Sequence, residues 1–309
     1  MDFQLVEYFL RIAEHGSINK AATDLNMTQP ALSRRLLALE HSLGTSLLVR
    51  DARGVKLSDA GMMLASRARP ILRQIELLKE DIGRQTHAQV SIGLPFSMQR
   101  MITAPFAAAQ LQAEPNLMLR VYEGFIHALG DWMQQGLIDI AIMDFKEGER
   151  TQYEKTPLVR EHLFLVGNAQ SGLSLDRPVT PQQLGRLPLI IPGRPNLIRL
   201  HVENFLRRHE QKFIRAAEAE TLPLCLELTR QGLGHTVMPH CALYDYPNGD
   251  ALRAAPIKGM FITWSMYVNQ GRLHSTAVRR TARALSGYIR KRAGSKVWRF
   301  AELAQPEEE

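Results

Sequence analysis

Thr28, Gln29, Pro30, Ala31, Ser33, Arg34 and Arg35 fall within one short segment, and together they supply side chains that can read the edge of a base pair. Arginine bonds guanine bidentately and serine bonds bases or phosphates, while the methyl and ring carbons of Ala31 and Pro30 suit a thymine methyl. Spacing decides whether these groups share a surface. Leu32, Leu36, Leu39 and Leu43 follow a 4-3-4 spacing, which at about 100° per residue makes one buried stripe on a helix. Pro30 and Arg34 then point almost directly away from that stripe, flanked by Ala31, Ser33 and Arg35. A single helix with this pattern also suits an ordinary solvated face.

A second concentration of chemistry lies beyond residue 88. The runs QVSIGLP, LMLRVYEG, IDIAIM, LFLVGN, LPLIIPG, FIRAAEAE and HTVMPH read as strands, separated by helices such as MITAPFAAAQLQA and NLIRLHVENFLRRHE. This is an α/β pattern with largely parallel sheets. Ligands in such sheets gather at the carboxyl ends of strands, beside helix N-termini whose amides favour anions. The residues at those ends are Phe96, Ser97 and Met98, then Gly124 and Phe125, Asp144 and Phe145, Arg194 and Asn196, and Thr221. Ser97 and Asn196 read as hydrogen-bonding groups for a ligand or, equally, as helix caps. Phe96 and Phe145 read as cover for an apolar part or as core. A cation beside a helix N-terminus is unfavourable unless an anion offsets it, so Arg194 reads as the partner of a carboxylate or other anion, with exposure to water as the alternative. The expected ligand is a small anion, aromatic or not.

Other chemistries find no support. Two cysteines in 309 residues cannot build a disulfide framework, and none of the CxxC or Cys/His spacings of a zinc site occurs. Ten histidines form no HExxH pattern, no GxSxG element exists, and Gln231-Gly232-Leu233-Gly234 follows a helix where a nucleotide loop would follow a strand. No enzyme, metal or cofactor is expected, because Asp144 or Glu123 alone does not make a catalytic set. The amphipathic N-terminus carries acids at positions 2 and 7 and lacks the form of an export signal, and no apolar run approaches the ~20 residues that span a bilayer. A soluble cytoplasmic protein is expected, which disfavours an exported solute-binding protein. The formal charge of +7 suits a polyanionic partner without requiring one.

The elements that must position these residues can be placed. Leu5, Tyr8, Phe9 and Ile12 give a first amphipathic helix ending near His15-Gly16. Ser17 caps a second helix that turns Ile18, Ala21, Ala22 and Leu25 inward. After Asn26-Met27 the third helix starts with Thr28 as N-cap and Pro30 in its first turn. Two helices joined by so short a turn make a helix-turn-helix. After Ser58, Leu64, Ala68, Ile71, Ile75, Leu78 and Ile82 advance in steps of 4, 3, 4, 3 and 4, the seam of a helix that pairs with another. Pro70 should kink this helix, and Gly83 is its expected terminus and hinge.

The segment AATDLNMTQPALSRRLLALEHSLGTSLLVR, followed by GVKLSDAG, resembles the LysR-type transcriptional regulators. The match runs without a gap over some forty positions. The resemblance implies a winged helix-turn-helix over 1–58, a dimerising linker helix over 59–87 and a two-subdomain, periplasmic-binding-protein-like effector domain over 88–309. Its first subdomain would comprise about 88–167 and 263–309, its second about 168–262, with crossings near Asn168 and Ile262. The third helix would enter the major groove of promoter DNA. A wing around Leu47 to Leu57 would lay Arg50, Arg53 and Lys56 near phosphates, with Thr28, Gln29, Pro30, Ser33 and Arg34 carried over as DNA contacts. Two protomers would pair their linker helices antiparallel in a homodimer that assembles further into a homotetramer, with RNA polymerase a possible further partner. Leu47-Leu48 departs from the usual Leu-Phe, and Leu37 and Ala38 stand where polar or basic residues are common. One branch of the family suggests a peroxide-sensing pair in Cys225 and Cys241, but an apolar helix around Cys225 reads better as a buried structural thiol. Residues 272–299 hold nine Lys or Arg and no acid, which reads as a solvated helix in preference to an auxiliary DNA contact.

Overall fold

The structure is a computed structural model that describes residues 2–51, 54–82, 88–144, 152–247, 249–293 and 295–305. Side chains are described throughout these ranges except at 50, 51, 54, 70, 73, 74 and 76–82. The chain divides into two compact units, residues 1–85 with 134–137 and residues 86–133 with 138–309.

In the first unit, α1 (Phe3–His15) buries Val6, Phe9, Leu10 and Ile12. Its inner face is thus broader than the spacing suggested, and Leu5 and Tyr8 sit half-buried on its edge. Ser17 caps α2 (Ile18–Asp24), accepting from the Lys20 amide, and Asn26 turns the chain in the left-handed region with φ of 51°. In α3 (Gln29–Leu43), Leu32, Leu36 and Leu39 are buried. Leu43 departs from the predicted stripe at 38% exposed, because it lies in the last turn, where Gly44 leads the chain out of the helix.

Glu40 ties α3 to the start of the wing: its Oε1 accepts from the amides of Leu47 (2.7 Å) and Leu48 (3.3 Å). The wing is the antiparallel pair β1 (Leu48–Asp51) and β2 (Gly54–Leu57). Ser58 caps α4 (Asp59–Ile82) by accepting from the Gly61 amide at 3.0 Å, and its hydroxyl donates to the Ser46 carbonyl at 2.7 Å. A Cβ at Gly61 would stand 2.1 Å from the Leu47 carbonyl oxygen, so only glycine lets the helix start this close to the wing backbone. The helix is one element through Pro70, and Gly83 lies outside the described residues.

The second unit runs β3 (Ala88–Pro95), α5 (Ala104–Ala113), β4 (Leu117–Gly124), α6 (Ile126–Gln134), β5 (Ile140–Met143), β6 (Tyr153–Asn168), α7 (Pro181–Leu184), β7 (Pro188–Ile191), α8 (Leu197–Arg208), β8 (Ile214–Glu218), α9 (Leu222–Arg230), β9 (Thr236–Pro239), β10 (Leu252–Asn269), α10 (Thr276–Ala293) and β11 (Ala301–Leu303). A seven-stranded sheet has the order β11-β6-β10-β5-β3-β4 with β9 against β6, and β7 pairs with β8 separately. The largely parallel expectation is corrected. Parallel ladders join β3 to β4 and β5, and β7 to β8, while β6, β9, β10 and β11 pair antiparallel. The cause is the length of β6 and β10, 16 and 18 residues, which traverse the unit in opposite directions and pair along most of their course.

Two buried polar clusters lock this sheet. Asp139, before β5, accepts from Arg272 Nε at 2.9 Å and from the Ser91 amide at 2.8 Å, which clips β3 to the end of β10. On β6, Glu161 has no exposed surface. Its Oε1 accepts from Trp264 Nε1 (2.6 Å) and Cys241 Sγ (3.1 Å), and its Oε2 from Trp298 Nε1 (2.5 Å) and the Cys241 amide (3.2 Å). Burial pushes the Glu161 carboxyl above its ordinary pKa, against the opposing pull of these four donors.

The substitution Glu161→Gln sets an amide N–H2 against one indole N–H and one Cys241 donor and should cost about 1–3 kcal/mol in denaturant unfolding at low pH. A raised pKa means that wild-type stability is fully present below the unfolded pKa and is lost as pH rises through the folded one. Glutamine does not titrate, so the gap between wild type and variant should narrow as pH rises. A gap that widens contradicts the upward shift.

Candidate nucleic-acid interface and ligand cleft

On α3, Thr28, Gln29, Pro30, Arg34 and Arg35 are exposed and Ala31 and Ser33 half-buried. Thr28 occupies the N-cap position without a side-chain cap bond, so its hydroxyl is not used by the helix. Gln29 Nε2 donates to Ser33 Oγ at 2.9 Å, and among the described residues Arg34 Nε reaches only the carbonyl of Pro30 at 3.4 Å. That bond is near the limit of useful length and exposed, so little holds Arg34 back. Arg35 behaves differently: its guanidinium lies 5.1 Å over the Tyr8 ring, which draws it toward α1. Leu37 is 61% exposed, as the helical wheel requires. Lys56 on β2 is exposed, Arg50 lies in β1 with its side chain outside the description, and Arg53 is outside the described residues.

Along α4, Ile71 is 46% exposed and Leu64 and Ile75 are half-buried, whereas the side chains of Leu78 and Ile82 are outside the description. Ala68 is corrected. It is buried with Ala65 and Leu72 in the core of its own unit, because the helix already presents one face to α1 and β2 and Ala68 lies on the border of that face.

In the second unit, a chamber of about 90 Å³ brings together Phe96, Ser97, Gly124, Phe125 and Asn196 from the predicted strand ends. Asn196 serves both readings: its Oδ1 accepts from the Ile198 (2.9 Å) and Arg199 (3.4 Å) amides as a cap, and the residue lines the chamber. Met98 is fully buried core. Thr221 caps α9 and lines a neighbouring vestibule of about 570 Å³. Asp144 faces His201 at 3.3 Å in another cavity, of about 630 Å³. Phe145 is outside the described residues.

Arg194 is corrected too. It lines none of these cavities, and its Nη2 and Nε donate to Glu203 at 2.5 and 3.1 Å. The anion that offsets a cation at the start of α8 is thus supplied by α8 itself. Glu203 also accepts from the nearly buried Arg199 at 2.7 Å. Burial alone would raise the Glu203 carboxyl, but the two guanidinium partners hold it below its usual range.

Trp264, Leu197, Ile198, Leu222, Cys225 and Pro239 also line the chamber and were missed. Pro239 carried a usable signal, since it closes a strand at its carboxyl end. Trp264 did not, because the interrupted sequence of β10 hid the strand that places it. The basic stretch near the C-terminus is largely used internally. Arg279 bonds the Leu273 and His274 carbonyls, Arg280 pairs with Glu114 at 2.6 Å, and Arg290 donates to the Pro157 carbonyl at 3.1 Å.

Among the described residues no helix is long and apolar enough to cross a membrane, and no group of three His, Cys, Asp or Glu side chains could hold a metal. Cys225 and Cys241 are free and buried. Burial pushes the Cys225 thiol up to about 11, and burial with the adjacent Glu161 raises Cys241 further from reactivity. Alkylation of the native protein at neutral pH, followed by mass spectrometry, should therefore label both thiols at least about a hundredfold more slowly than a free cysteine. Rapid labelling of either would contradict the buried geometry.

Residues 3–62 match the family model described as bacterial regulatory helix-turn-helix protein, lysR family, and residues 83–289 match the LysR substrate binding domain. The chain is 33% identical to the nitrogen assimilation regulatory protein nac of Klebsiella aerogenes, covering 78% of this chain and 79% of the relative. It is 28% identical to the HTH-type transcriptional regulator BbuR of Bordetella bronchiseptica, covering 94% and 89%. A full-length OxyR variant from Pseudomonas aeruginosa shares the fold with a TM-score of 0.69 at 20% identity, covering 99% of both chains. Full-length CbnR, solved in complex with its target DNA, does so with a TM-score of 0.66 at 20% identity, covering 94% of this chain and 99% of that one. The helix-turn-helix, the wing pinned by Glu40 and the substrate-binding fold thus converge, and the chain belongs to the LysR family of DNA-binding transcriptional regulators, which are not enzymes.

Proposed function

We propose that this protein is a cytoplasmic, sequence-specific regulator whose grip on promoter DNA changes when a small molecule enters the chamber of its substrate-binding domain. The observation that carries the DNA half of this reading is the outer face of α3. There Arg34, with Thr28, Gln29, Pro30 and Ser33 around it, is held by one long exposed bond and can swing to a guanine edge. A recognition helix reads one half-site, so a homodimer reads two. The exposed Ile71 side of α4 is where a second protomer would pair, and a dimer of dimers extends the same arrangement. RNA polymerase contact belongs to this proposal as a consequence of promoter binding. Modulation requires the small molecule to bind one quaternary arrangement better than another, since a ligand of equal affinity for both shifts nothing.

Fluorescence anisotropy with the full-length protein, its own upstream DNA and a random duplex at fixed salt tests this reading. Specific binding should be tighter by about a thousandfold or more. Arg34→Ala should cost about 1–3 kcal/mol on the specific site and much less on random DNA. Equal wild-type affinity for both duplexes would refute the regulator reading.

A further inference from the structure

The chamber and its vestibule differ in character, and the difference defines a ligand. The chamber walls are apolar, with Phe96, Phe125, Ile126, Leu197, Leu222 and Trp264 among them. Its volume of about 90 Å³ is well below the ~150 Å³ of an engineered apolar cavity that takes up benzene. A short aliphatic group fits within it, whereas an aromatic ring would project into its mouth. The chamber shares Phe96, Ser97, Phe125 and Leu222 with the vestibule, so the two adjoin across common walls.

The vestibule holds Arg100 and no acid. Among the described residues that guanidinium pairs with no carboxylate; its Nη1 donates to the main-chain oxygen of Asp245 at 3.2 Å. Two acids on neighbouring elements have partners of their own: Glu123 accepts from Gln99 at 2.8 Å, and Glu227 from Arg230 at 2.6 and 2.8 Å, while Asp245 meets Arg100 through its main-chain oxygen. The cavity around Asp144 also holds cations, with Arg208, His127 and His201 on its walls, but unlike the vestibule it is not free of acids. It carries its own acid in Asp144, facing His201, and its Arg160 is paired with Glu302 at 3.5 Å.

We infer that the effector is a small amphiphilic anion whose aliphatic end, smaller than a benzene ring, fills the chamber while its carboxylate pairs with Arg100 in the vestibule. This rests on the reading of the chain as a ligand-responsive regulator and moves the anion-binding role from Arg194 to Arg100. An ion pair across a partly desolvated mouth also adds bidentate geometry, which a carboxylate satisfies and an amide does not.

Isothermal titration of the full-length protein with 3-methylbutanoate, 3-methylbutanamide and benzoate tests the inference. The branched carboxylate should bind at least about tenfold more tightly than the amide or benzoate. Arg100→Gln should erase the preference for the carboxylate over the amide, and Arg100→Lys should restore part of it. Equal binding of acid and amide, an Arg100→Gln variant that keeps the preference, tighter binding of benzoate, or no binding of any probe would each overturn the proposal. The ratio of specific to random DNA affinity, measured on the same wild-type preparation, separates the two failures. A ratio near one overturns the regulator reading, whereas charge-blind ligand binding beside a high ratio overturns only the inferred effector class.

Discussion

The carboxylate of Glu161 has no exposed surface and draws four donors from three separate segments, β10 through Trp264, the turn after β9 through Cys241, and the stretch before β11 through Trp298. A charge in that position would be costly without such partners. With them it fixes where those segments meet β6. Trp264 is both a wall of the chamber and a donor to this carboxylate, so the shape of the chamber is set by a group that is not among its walls. The vestibule is less constrained, since among the described residues Arg100 is held only by a main-chain oxygen. A fixed apolar floor and an adaptable charged mouth are suited to selecting a small molecule by size and charge together.

A similar economy shapes the first unit. Glu40 satisfies two backbone amides at the start of the wing from within α3, which fixes the wing against that helix. Gly61 lets α4 begin against the Leu47 carbonyl, which ties the linker helix to the wing as well. The helix then serves two surfaces. Ala65, Ala68 and Leu72 close the core of the unit, and Ile71 is left exposed.

The first unit was the more legible in sequence because its elements are helices whose caps and apolar spacing are local. Ser17, Asn26, Gly44 and Ser58 mark turns and ends that need no distant partner. Ala68 was misjudged because a heptad pattern cannot say which of two adjacent faces a small residue will join. The effector unit was harder. Its strand ends were visible, and Ser97, Phe125 and Asn196 meet as the α/β rule implies, but β10 was hidden by Pro256, Lys258 and Gly259 within an 18-residue strand. With β10 went Trp264 and the antiparallel half of the sheet. The roles of Glu161, Asp139 and Arg100 depend on contacts between residues far apart in the chain, and Arg194 misled because its neutralising acid, Glu203, lies two turns along the following helix.

The central claim is that one body presents a base-reading helix from each of two paired protomers. Selection of binding sites from a random-sequence duplex pool by the full-length protein at fixed salt tests it most directly. The account predicts enrichment of a partly symmetric site whose half-sites are separated by whole turns of the double helix. Recovery of no common sequence, with the bound pool indistinguishable from the input, would contradict it.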